Sequence, residues 1–317
     1  MAQLRRAPGD ATDRASVIAL ADILYCSIRY GTSPNNYVDF GFADLPEDIR
    51  ATYMTHRDNK RLIRKLNSRD AIDVFEDKVK FARAFAPYFG RACLELETAS
   101  PDDVFQFLTV HGQALLKPRS EAQGRGIRVI TRDGLREDEE LLRIGGHRRG
   151  GDWFLEARLV QHSTLSQAFG SGLMPLRLVS GLISGTTEVL IAAVTIGVAD
   201  KVVNYHIDGV MAPVDVSTGQ IAGPAVAKDG TIHWHHPLTG HSIEGFQLPM
   251  WDRATALVDA AAKVIPNVRY IGWDVGLTQA GPVIMEGNHD PGTYSMVQRS
   301  IYRDRKGGIR SSFARFL

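Results

Sequence analysis

The sequence predicts an α+β fold, in which a helical first part is followed by a block of strands. Two observations support this prediction. Apolar residues recur at helical spacing in the first part of the chain, as in residues 15–25. From residue 153 to about residue 216, short apolar runs typical of strands dominate, such as residues 176–183. Helices followed by strands, rather than alternating with them, favour the α+β class.

The helical part contains several helices with recognisable ends. Residues 15–66 predict a helix, a turn at Ser33-Pro34 and a second helix whose start lies near Asp44. A further helix is predicted at residues 76–85. Another follows Ser100-Pro101, where a serine N-cap precedes a proline and two acidic residues.

Strands are predicted from residue 114 onwards. Residues 114–118 and 127–131 form two strands joined by a flexible loop, and residues 215–248, rich in Gly, Thr, Pro and His, are predicted to form surface loops. A helix at residues 251–265 comes before two final strands, 270–277 and 283–286, which are joined by a turn.

Composition favours a small-molecule partner. The chain has 317 residues and is 44% hydrophobic, which is enough for a well-buried core. Its 37 basic and 36 acidic residues nearly cancel, so neither nucleic acid nor an anionic membrane is an expected partner.

The apolar run at residues 189–198 is about half the ~20 residues that a membrane span needs. The first residues lack the apolar segment of a secretory signal, so we expect a cytoplasmic protein. Cys26 and Cys93 are expected to be buried structural thiols.

The two final strands carry a candidate metal site. Asp274 lies on the first strand, and Glu286 and Asn288 lie at the end of the second. Glu286 and Asn288 are two residues apart and therefore point to the same face of a strand. Two carboxylates and an amide oxygen suit Mg²⁺. Alternatively, the acids are ordinary strand-end residues paired with surface arginines.

A second candidate is a lysine followed by a glycine-containing loop. Lys117 ends an apolar strand, and the loop that follows contains Gly124 and Gly126. Glycines let backbone amides approach phosphate oxygens, and the lysine adds a positive charge. A hairpin turn with a surface lysine would have the same pattern.

The order of these elements resembles the ATP-grasp superfamily, and most closely its sugar-transfer-associated family. The resemblance covers roughly residues 29–291. The motifs that carry it are Asp77-Lys78, Leu116-Lys117-Pro118, Gly124-Arg125-Gly126, Phe154-Leu155-Glu156, Leu176-Arg177-Leu178-Val179, residues 203–209, 213–215, 218–219 and 236–240, Gly272-Trp273-Asp274 and Glu286-Gly287-Asn288.

The resemblance implies a role for each site residue. Lys78 and Lys117 would contact the phosphates of ATP, and the loop from Ser120 through Gly124 to Gly126 would fold over them. Glu156 would lie in the adenine hinge and Leu159 would pack on the ring. The remaining implied roles concern catalysis and the metal: Arg177 would face the transferred phosphoryl group, Asn204 would orient the metal or the acyl phosphate, and Asp274, Glu286 and Asn288 would bind Mg²⁺.

Two features depart from the pattern of related ligases. Many ATP-grasp ligases begin with a parallel βαβ subdomain, whereas residues 1–75 here predict helices, so substrate residues cannot be transferred from those enzymes. In the peptide-ligase relatives an acid that binds ribose follows the hinge glutamate. Here that neighbourhood is Gln161-His162-Ser163, and we take His162 as a candidate.

These features together predict three regions and one reaction class. The regions are a helical part at 1–75, a small ATP-grasp subdomain at 76–152 and a large one with the metal site at 153–317. The expected function is an ATP- and Mg²⁺-dependent ligase that joins a carboxylate to an amine. A kinase acting on a hydroxyl or carbohydrate, and a non-catalytic nucleotide-binding module, are the alternatives. The oligomeric state is open, with a homodimer as one option.

Overall fold

The computed structural model describes residues 9–120, 126–132, 153–198, 209–292, 294–298 and 307–317. For residues 9–15, 294 and 296 it describes the backbone and not the side chain. The chain divides into two compact units. The first comprises residues 1–65 and 292–317, and the second comprises residues 66–291. The predicted boundary at residue 75 therefore differs from this division, because residues 66–75 belong to the second unit.

The first unit is helical, as the N-terminal sequence predicts. Its helices are α1 (Gly9–Arg29), α2 (Pro34–Phe40), α3 (Glu47–Arg50) and α4 (His56–Leu66), with a short C-terminal helix at Tyr294–Val297. Ser33 caps α2 by accepting a hydrogen bond from the backbone N–H of Asn36 at 3.2 Å. Gly41 ends this helix with φ 65°, a conformation that favours glycine.

An aromatic cluster forms the core of the first unit. Phe40 and Phe42 are fully buried, and Tyr53 packs against both rings, with centroids 4.9 and 5.2 Å away. Beside this core Arg50 donates to Asp22 from Nη1 at 2.7 Å and from Nη2 at 3.0 Å. The two-point contact fixes α1 relative to the end of α3.

The second unit contains two antiparallel sheets and the helices that cover them. Its helices are α5 (Asp73–Glu76), α6 (Lys78–Ala84), α7 (Ala86–Phe89), α8 (Pro101–His111), α9 (Ser163–Phe169) and α10 (Trp251–Ala262). Its strands are β1 (Cys93–Glu95), β2 (Gln113–Pro118), β3 (Arg128–Thr131), β4 (Trp153–Ala157), β5 (Leu176–Ile183), β6 (Thr186–Gly197), β7 (Gly209–Val214), β8 (Ala225–Val226), β9 (Ile232–His233), β10 (Tyr270–Leu277) and β11 (Pro282–Asn288).

The strands form a small sheet of order β1-β4-β2-β3 and a large sheet of order β11-β10-β5-β6-β7-β8-β9. Both sheets are antiparallel throughout. The predicted α+β class is therefore confirmed. The two predicted hairpins, β2 with β3 and β10 with β11, are also present in the structure.

Helices α5 to α7 pack on β10 and β11 through aromatic side chains. The rings of Phe81 and Phe85 stack with centroids 4.4 Å apart, and Phe85 meets Trp273 edge to face at 5.5 Å. A Cβ added at Gly287 would lie 2.9 Å from Phe81 and 3.0 Å from Phe75. The glycine between Glu286 and Asn288 therefore lets these helices approach the strand closely.

Two regions differ from the sequence prediction. The region predicted as strands contains α9, a helix of seven residues whose N-cap is His162. The region predicted as surface loops contains β8 and β9, which extend the large sheet by two short strands.

Both cysteines are free; Cys26 is buried as predicted, whereas Cys93 is only partly buried. No helix among the described residues is long and apolar enough to span a membrane.

Candidate functional site

The start of helix α6 is held at the end of strand β2. Asp77 is the N-cap of α6 and accepts two hydrogen bonds from backbone N–H groups of the first turn, at 2.9 and 3.1 Å. Its carboxylate also accepts from Arg119 Nε at 2.7 Å, and the Lys78 N–H donates to the Arg119 carbonyl at 3.1 Å. Burial would raise the pKa of Asp77, but the N–H groups and Arg119 hold it below its usual value. Lys78 is thereby fixed near the strand that carries Lys117.

A buried ion-pair cluster surrounds Glu156. This residue is 3% exposed, and its side chain lies on β4 between the neighbouring strands β1 and β2. Lys117 Nζ donates to Glu156 Oε1 at 2.7 Å, and Arg91 Nε lies 2.6 Å from the same oxygen. Burial would raise the pKa of Glu156, but the two cations outweigh it and lower the pKa. The carboxylate is therefore ionised at neutral pH.

Arg91 also joins the small sheet to the large one. Its Nη1 donates to the carbonyls of Phe89 at 2.8 Å and Ile284 at 2.9 Å, and its Nη2 donates to the carbonyl of Met285 at 2.9 Å. The guanidinium stacks 3.4 Å from the centre of the Phe89 ring. Arg91 is not among the site residues that the sequence predicts. The signal for it was indirect, since Glu156 lies in an otherwise apolar strand and a buried acid needs a cation.

These residues border a cleft with about 310 Å³ of empty space, part of which is open to solvent. Two lysines and two acids supply its charges, and aromatic and thioether groups supply its apolar walls. The lining residues are Phe75, Lys78, Phe81, Phe89, Lys117, Phe154, Glu156, Met285 and Glu286. The structure thus brings together Lys78, Lys117, Glu156 and Glu286, four of the predicted site residues.

The predicted metal and phosphoryl residues form a row across three strands of the large sheet. In the sheet register Arg177 on β5 lies opposite Asp274 on β10, and Asp274 lies opposite Glu286 on β11. Asn288 lies opposite Gly272 and is two residues from Glu286, so it shares that face. Four predicted residues are therefore neighbours on one face of the sheet.

Arg177 is paired with Asp274 rather than exposed to solvent. Its Nε lies 2.9 Å from Oδ1 and its Nη2 donates to Oδ2 at 3.2 Å. Its Nη1 is buried without a hydrogen-bond partner among the described residues. Burial, opposed by Arg177 and aided by Glu286, raises the pKa of Asp274 to about 6. The row therefore combines two neighbouring carboxylates with one guanidinium.

A bulge in β11 connects this row with the cleft. Asp274 pairs with Glu286, whereas Val275 pairs with Ile284, so Met285 has no partner in β10. Both Met285 and Glu286 line the cleft. A bulge re-aims side chains in this way, and it places an apolar and an acidic group next to each other at the cleft.

The donor set at the end of the hairpin fits a hard divalent cation. Asp274, Glu286 and Asn288 offer carboxylate and amide oxygens on one face, which are the ligands that Mg²⁺ takes. No group of three His, Cys, Asp or Glu side chains that could hold a metal ion occurs in the part of the chain that the structure describes. The candidate set thus depends on the amide of Asn288 and on ligands from outside the chain.

The hinge candidate Leu159 lies near Met285, a residue of the cleft, and the ribose candidate His162 caps a helix. Leu159 reaches the backbone of Gly276, because a Cβ there would lie 3.4 Å from its Cδ1 and 3.3 Å from the sulfur of Met285. His162 accepts through Nδ1 from the N–H of Thr164 at 3.2 Å, as the cap of α9. Gln161 donates to the Gly170 carbonyl at 2.9 Å. None of these contacts tests the predicted ribose role of His162.

The loop after β2 is described only at its ends. Ser120 is exposed, and Gly126 has φ 73° with Pro118 3.3 Å from where its Cβ would be. This close approach and the positive φ favour glycine at that position. Gly124 and Asn204 lie outside the described residues.

A protein-family model matches most of the sequence. The model of the sugar-transfer-associated ATP-grasp family matches residues 57–306. The chain belongs to this family. The predicted resemblance is confirmed, and the α+β architecture is an ATP-grasp fold. The match begins after helices α1 to α3, which form the helical N-terminal region.

Solved structures with similar folds share little sequence with the chain. The ATP-grasp ligase PsnB, complexed with a phosphomimetic variant of its minimal precursor, Mg and ADP, has TM-score 0.45 and 14% identity over 79% of this chain and 62% of its own. N5-carboxyaminoimidazole synthase from Aspergillus clavatus has TM-score 0.44 and 14% identity over 72% and 48%. D-alanyl-alanine synthetase A from Vibrio cholerae has TM-score 0.43 and 12% identity over 78% and 65%. The chain spans less than two thirds of each, and no curated protein matches it.

Proposed function

We propose that the protein is an ATP-dependent ligase that activates a carboxylate as an acyl phosphate and transfers the acyl group to an amine. The observation that carries the proposal is the cleft, which is lined by Lys78, Lys117 and Glu156 together with Glu286 of the hairpin of β10 and β11. Membership of an ATP-grasp family supports a nucleotide as the occupant of that cleft.

The two lysines are suited to bind the phosphates. Lys117 lies near the end of β2 and lines the cleft, and Lys78 is held nearby through its backbone contact with Arg119. Ammonium groups stabilise phosphate oxygens through charge-assisted hydrogen bonds. The aromatic walls of the cleft, including Phe89 and Phe154, exclude water and strengthen these contacts.

Asp274, Glu286 and Asn288 would hold Mg²⁺, as their oxygen donors and shared face suggest. Bound Mg²⁺ would supply positive charge to the nucleotide phosphates. Arg177, in the same row, would stabilise negative charge on the transferred phosphoryl group, because a guanidinium keeps its proton throughout.

In the first chemical step a substrate carboxylate oxygen attacks the γ-phosphorus, and the bond from that phosphorus to the bridging oxygen of ADP breaks. In the second step the amine nitrogen attacks the acyl carbon, the carbon–oxygen bond to phosphate breaks, and the amine gives up one proton as the amide forms. The chain contributes by holding the reactants in line and by charge stabilisation.

Calorimetry with ATP and Mg²⁺ tests nucleotide binding directly. We expect the parent protein to bind ATP and the Lys117→Met variant to bind it about 10- to 100-fold more weakly, since one charged hydrogen bond is lost. Lys263→Met, which removes an exposed lysine paired with Asp259, is the matched control and should bind ATP as the parent does. Absence of ATP binding by the parent would refute the proposal.

Phosphorus NMR tests the outcome of the reaction. Incubation with ATP and a library of carboxylates and amines should give ADP and free phosphate in equal amounts. A stable phosphoester in place of free phosphate would instead identify a kinase.

A further inference from the structure

The charges around Glu156 do not cancel. One carboxylate faces two cations, Arg91 and Lys117, and both contact its Oε1. All three side chains are shielded from solvent, with exposures of 5% for Glu156, 2% for Arg91 and 12% for Lys117. The cluster therefore carries one surplus positive charge in a place of low dielectric.

The two cations differ in their freedom to move. Arg91 is held by three backbone carbonyls and by the Phe89 ring, so its guanidinium has a single position. Lys117 contacts Glu156 and also lines the cleft. A lysine ammonium on a flexible stem can reorient, whereas a planar guanidinium with fixed hydrogen bonds cannot do so without losing them.

We propose that Arg91 is a positioning residue for the anion site, because it compensates the charge of Glu156 and so leaves the Lys117 ammonium for a nucleotide phosphate. The inference rests on the proposed function, since it takes a nucleotide as the occupant of the cleft.

The reason lies in what would remain without Arg91. Lys117 and Glu156 would then form a neutral, closed ion pair at 2.7 Å in a buried place. Separation of such a pair is costly, because each charge would be left uncompensated. A phosphate entering the cleft would have to compete with Glu156 for the ammonium.

Two probes separate the two halves of the nucleotide. Binding of inorganic tripolyphosphate reports on the anion site at the lysines. Binding of adenosine reports on the apolar walls of the cleft, which the phenylalanines and Met285 form. In Arg91→Met we expect tripolyphosphate and ATP to bind about 10- to 100-fold more weakly, as expected for loss of one charged contact. Adenosine should stay within about threefold of its affinity for the parent, a change of less than 1 kcal/mol.

A second substitution distinguishes charge compensation from a merely structural role. In the double variant Arg91→Met/Glu156→Gln the carboxylate charge is absent, so Lys117 is free again and tripolyphosphate should bind within about threefold of the parent. If Arg91 only joined the two sheets, both probes would bind more weakly and Glu156→Gln would give no rescue. That result would overturn the inference.

Arg91→Lys keeps the charge and loses the backbone hydrogen bonds, and it should retain tripolyphosphate binding. Arg83→Met, which removes the exposed partner of Glu95, is the matched control and should change neither affinity. If Arg91→Met does not fold, Arg91→Lys and the double variant decide: parent-like anion binding in both supports the inference, and equal weakening in both contradicts it.

The test also separates this inference from the proposed function. If the parent fails to bind ATP, the proposed function is wrong. If the parent binds ATP and Arg91→Met binds tripolyphosphate as tightly as the parent, only the role of Arg91 is wrong.

Discussion

Arg177 and Asp274 lie opposite each other on neighbouring strands and are joined at two points, Nε to Oδ1 at 2.9 Å and Nη2 to Oδ2 at 3.2 Å. A two-point contact fixes the plane of the guanidinium as well as its distance. The arginine assigned to the phosphoryl group and an acid assigned to the metal are therefore positioned by one another.

Gly272→Ala should disturb this pair. A Cβ at Gly272 would lie 2.7 Å from Arg177 Nη1 and 2.8 Å from Pro291 Cβ, so the guanidinium has to move. We expect a loss of about 1–3 kcal/mol in the free energy of unfolding, as for other overpacked sites. Urea denaturation measures it. Gly276→Ala is the control on the same strand, because the three atoms nearest to its Cβ belong to the flexible side chains of Met285 and Leu159 and lie 3.3 Å or more away. Equal unfolding midpoints for the two variants would contradict the prediction.

Asp274→Asn should abolish ATP turnover without a comparable loss of stability. Burial, aided by Glu286, raises the pKa of Asp274 to about 6, so the fold disfavours the ionised carboxylate relative to a neutral group. The neutral amide removes that cost, which offsets the loss of the anion that faces Arg177, and we expect the free energy of unfolding at about pH 7 to stay within about 1 kcal/mol of the parent. Asp259→Asn, in an exposed pair with Lys263 four residues away, is the control and should keep both stability and turnover. Chemical denaturation and an assay of ADP release compare the variants, and unchanged turnover by Asp274→Asn would contradict the prediction.

Phe85→Ala should be among the most damaging single changes in the second unit. Phe85 is fully buried and contacts the rings of Phe81 and Trp273. Removal of a buried phenylalanine ring typically costs about 3–5 kcal/mol. Phe105→Ala, at a site 41% exposed, should cost much less. Thermal unfolding of the two variants checks the difference, and similar melting temperatures would contradict it.

The pH dependence of stability should include a contribution from Asp22. The hydrogen bonds from Arg50 lower the pKa of Asp22 below 3.8, although burial opposes them. A depressed pKa in the folded state means that the unfolded chain takes up the proton first as pH falls. The stabilisation is therefore complete above about pH 4 and is lost as pH falls through the folded-state pKa.

The Asp22→Asn variant isolates this contribution. It should be less stable than the parent at about pH 7, and the difference should shrink as pH falls below about 4. Urea unfolding midpoints of both proteins across this range provide the measurement. A constant difference at every pH would show that the Asp22 carboxylate does not contribute.

Local sequence patterns predicted the hairpins well. The pairing of β10 with β11 follows from two apolar runs and the short turn between them, and it places Asp274 opposite Glu286. Lys117 at the end of β2 also lies where its strand and loop pattern put it. These features depend on residues close in sequence, which a linear pattern records.

Other features depend on distant residues and have no local signal. Arg91 meets its partner Glu156 only when β1 pairs with β4, and the bulge at Met285 is visible only in the register of two strands. The strands β8 and β9 have two residues each, which is too short for alternation to show. Helix α1 has the predicted apolar spacing, yet Val17 and Ile18 are 66% and 70% exposed. The apolar spacing therefore predicted that a helix forms there, but it did not predict which face of the helix is buried.

The hydrogen bonds of Arg91 to β11 end on backbone carbonyls rather than on side chains. Every amino acid supplies the same carbonyl, so replacement of the Met285 side chain does not by itself remove a hydrogen-bond acceptor of this joint between the sheets. Met285, which lines the cleft, can therefore be exchanged to suit a ligand while both hydrogen bonds remain, whereas removal of the Arg91 guanidinium breaks both.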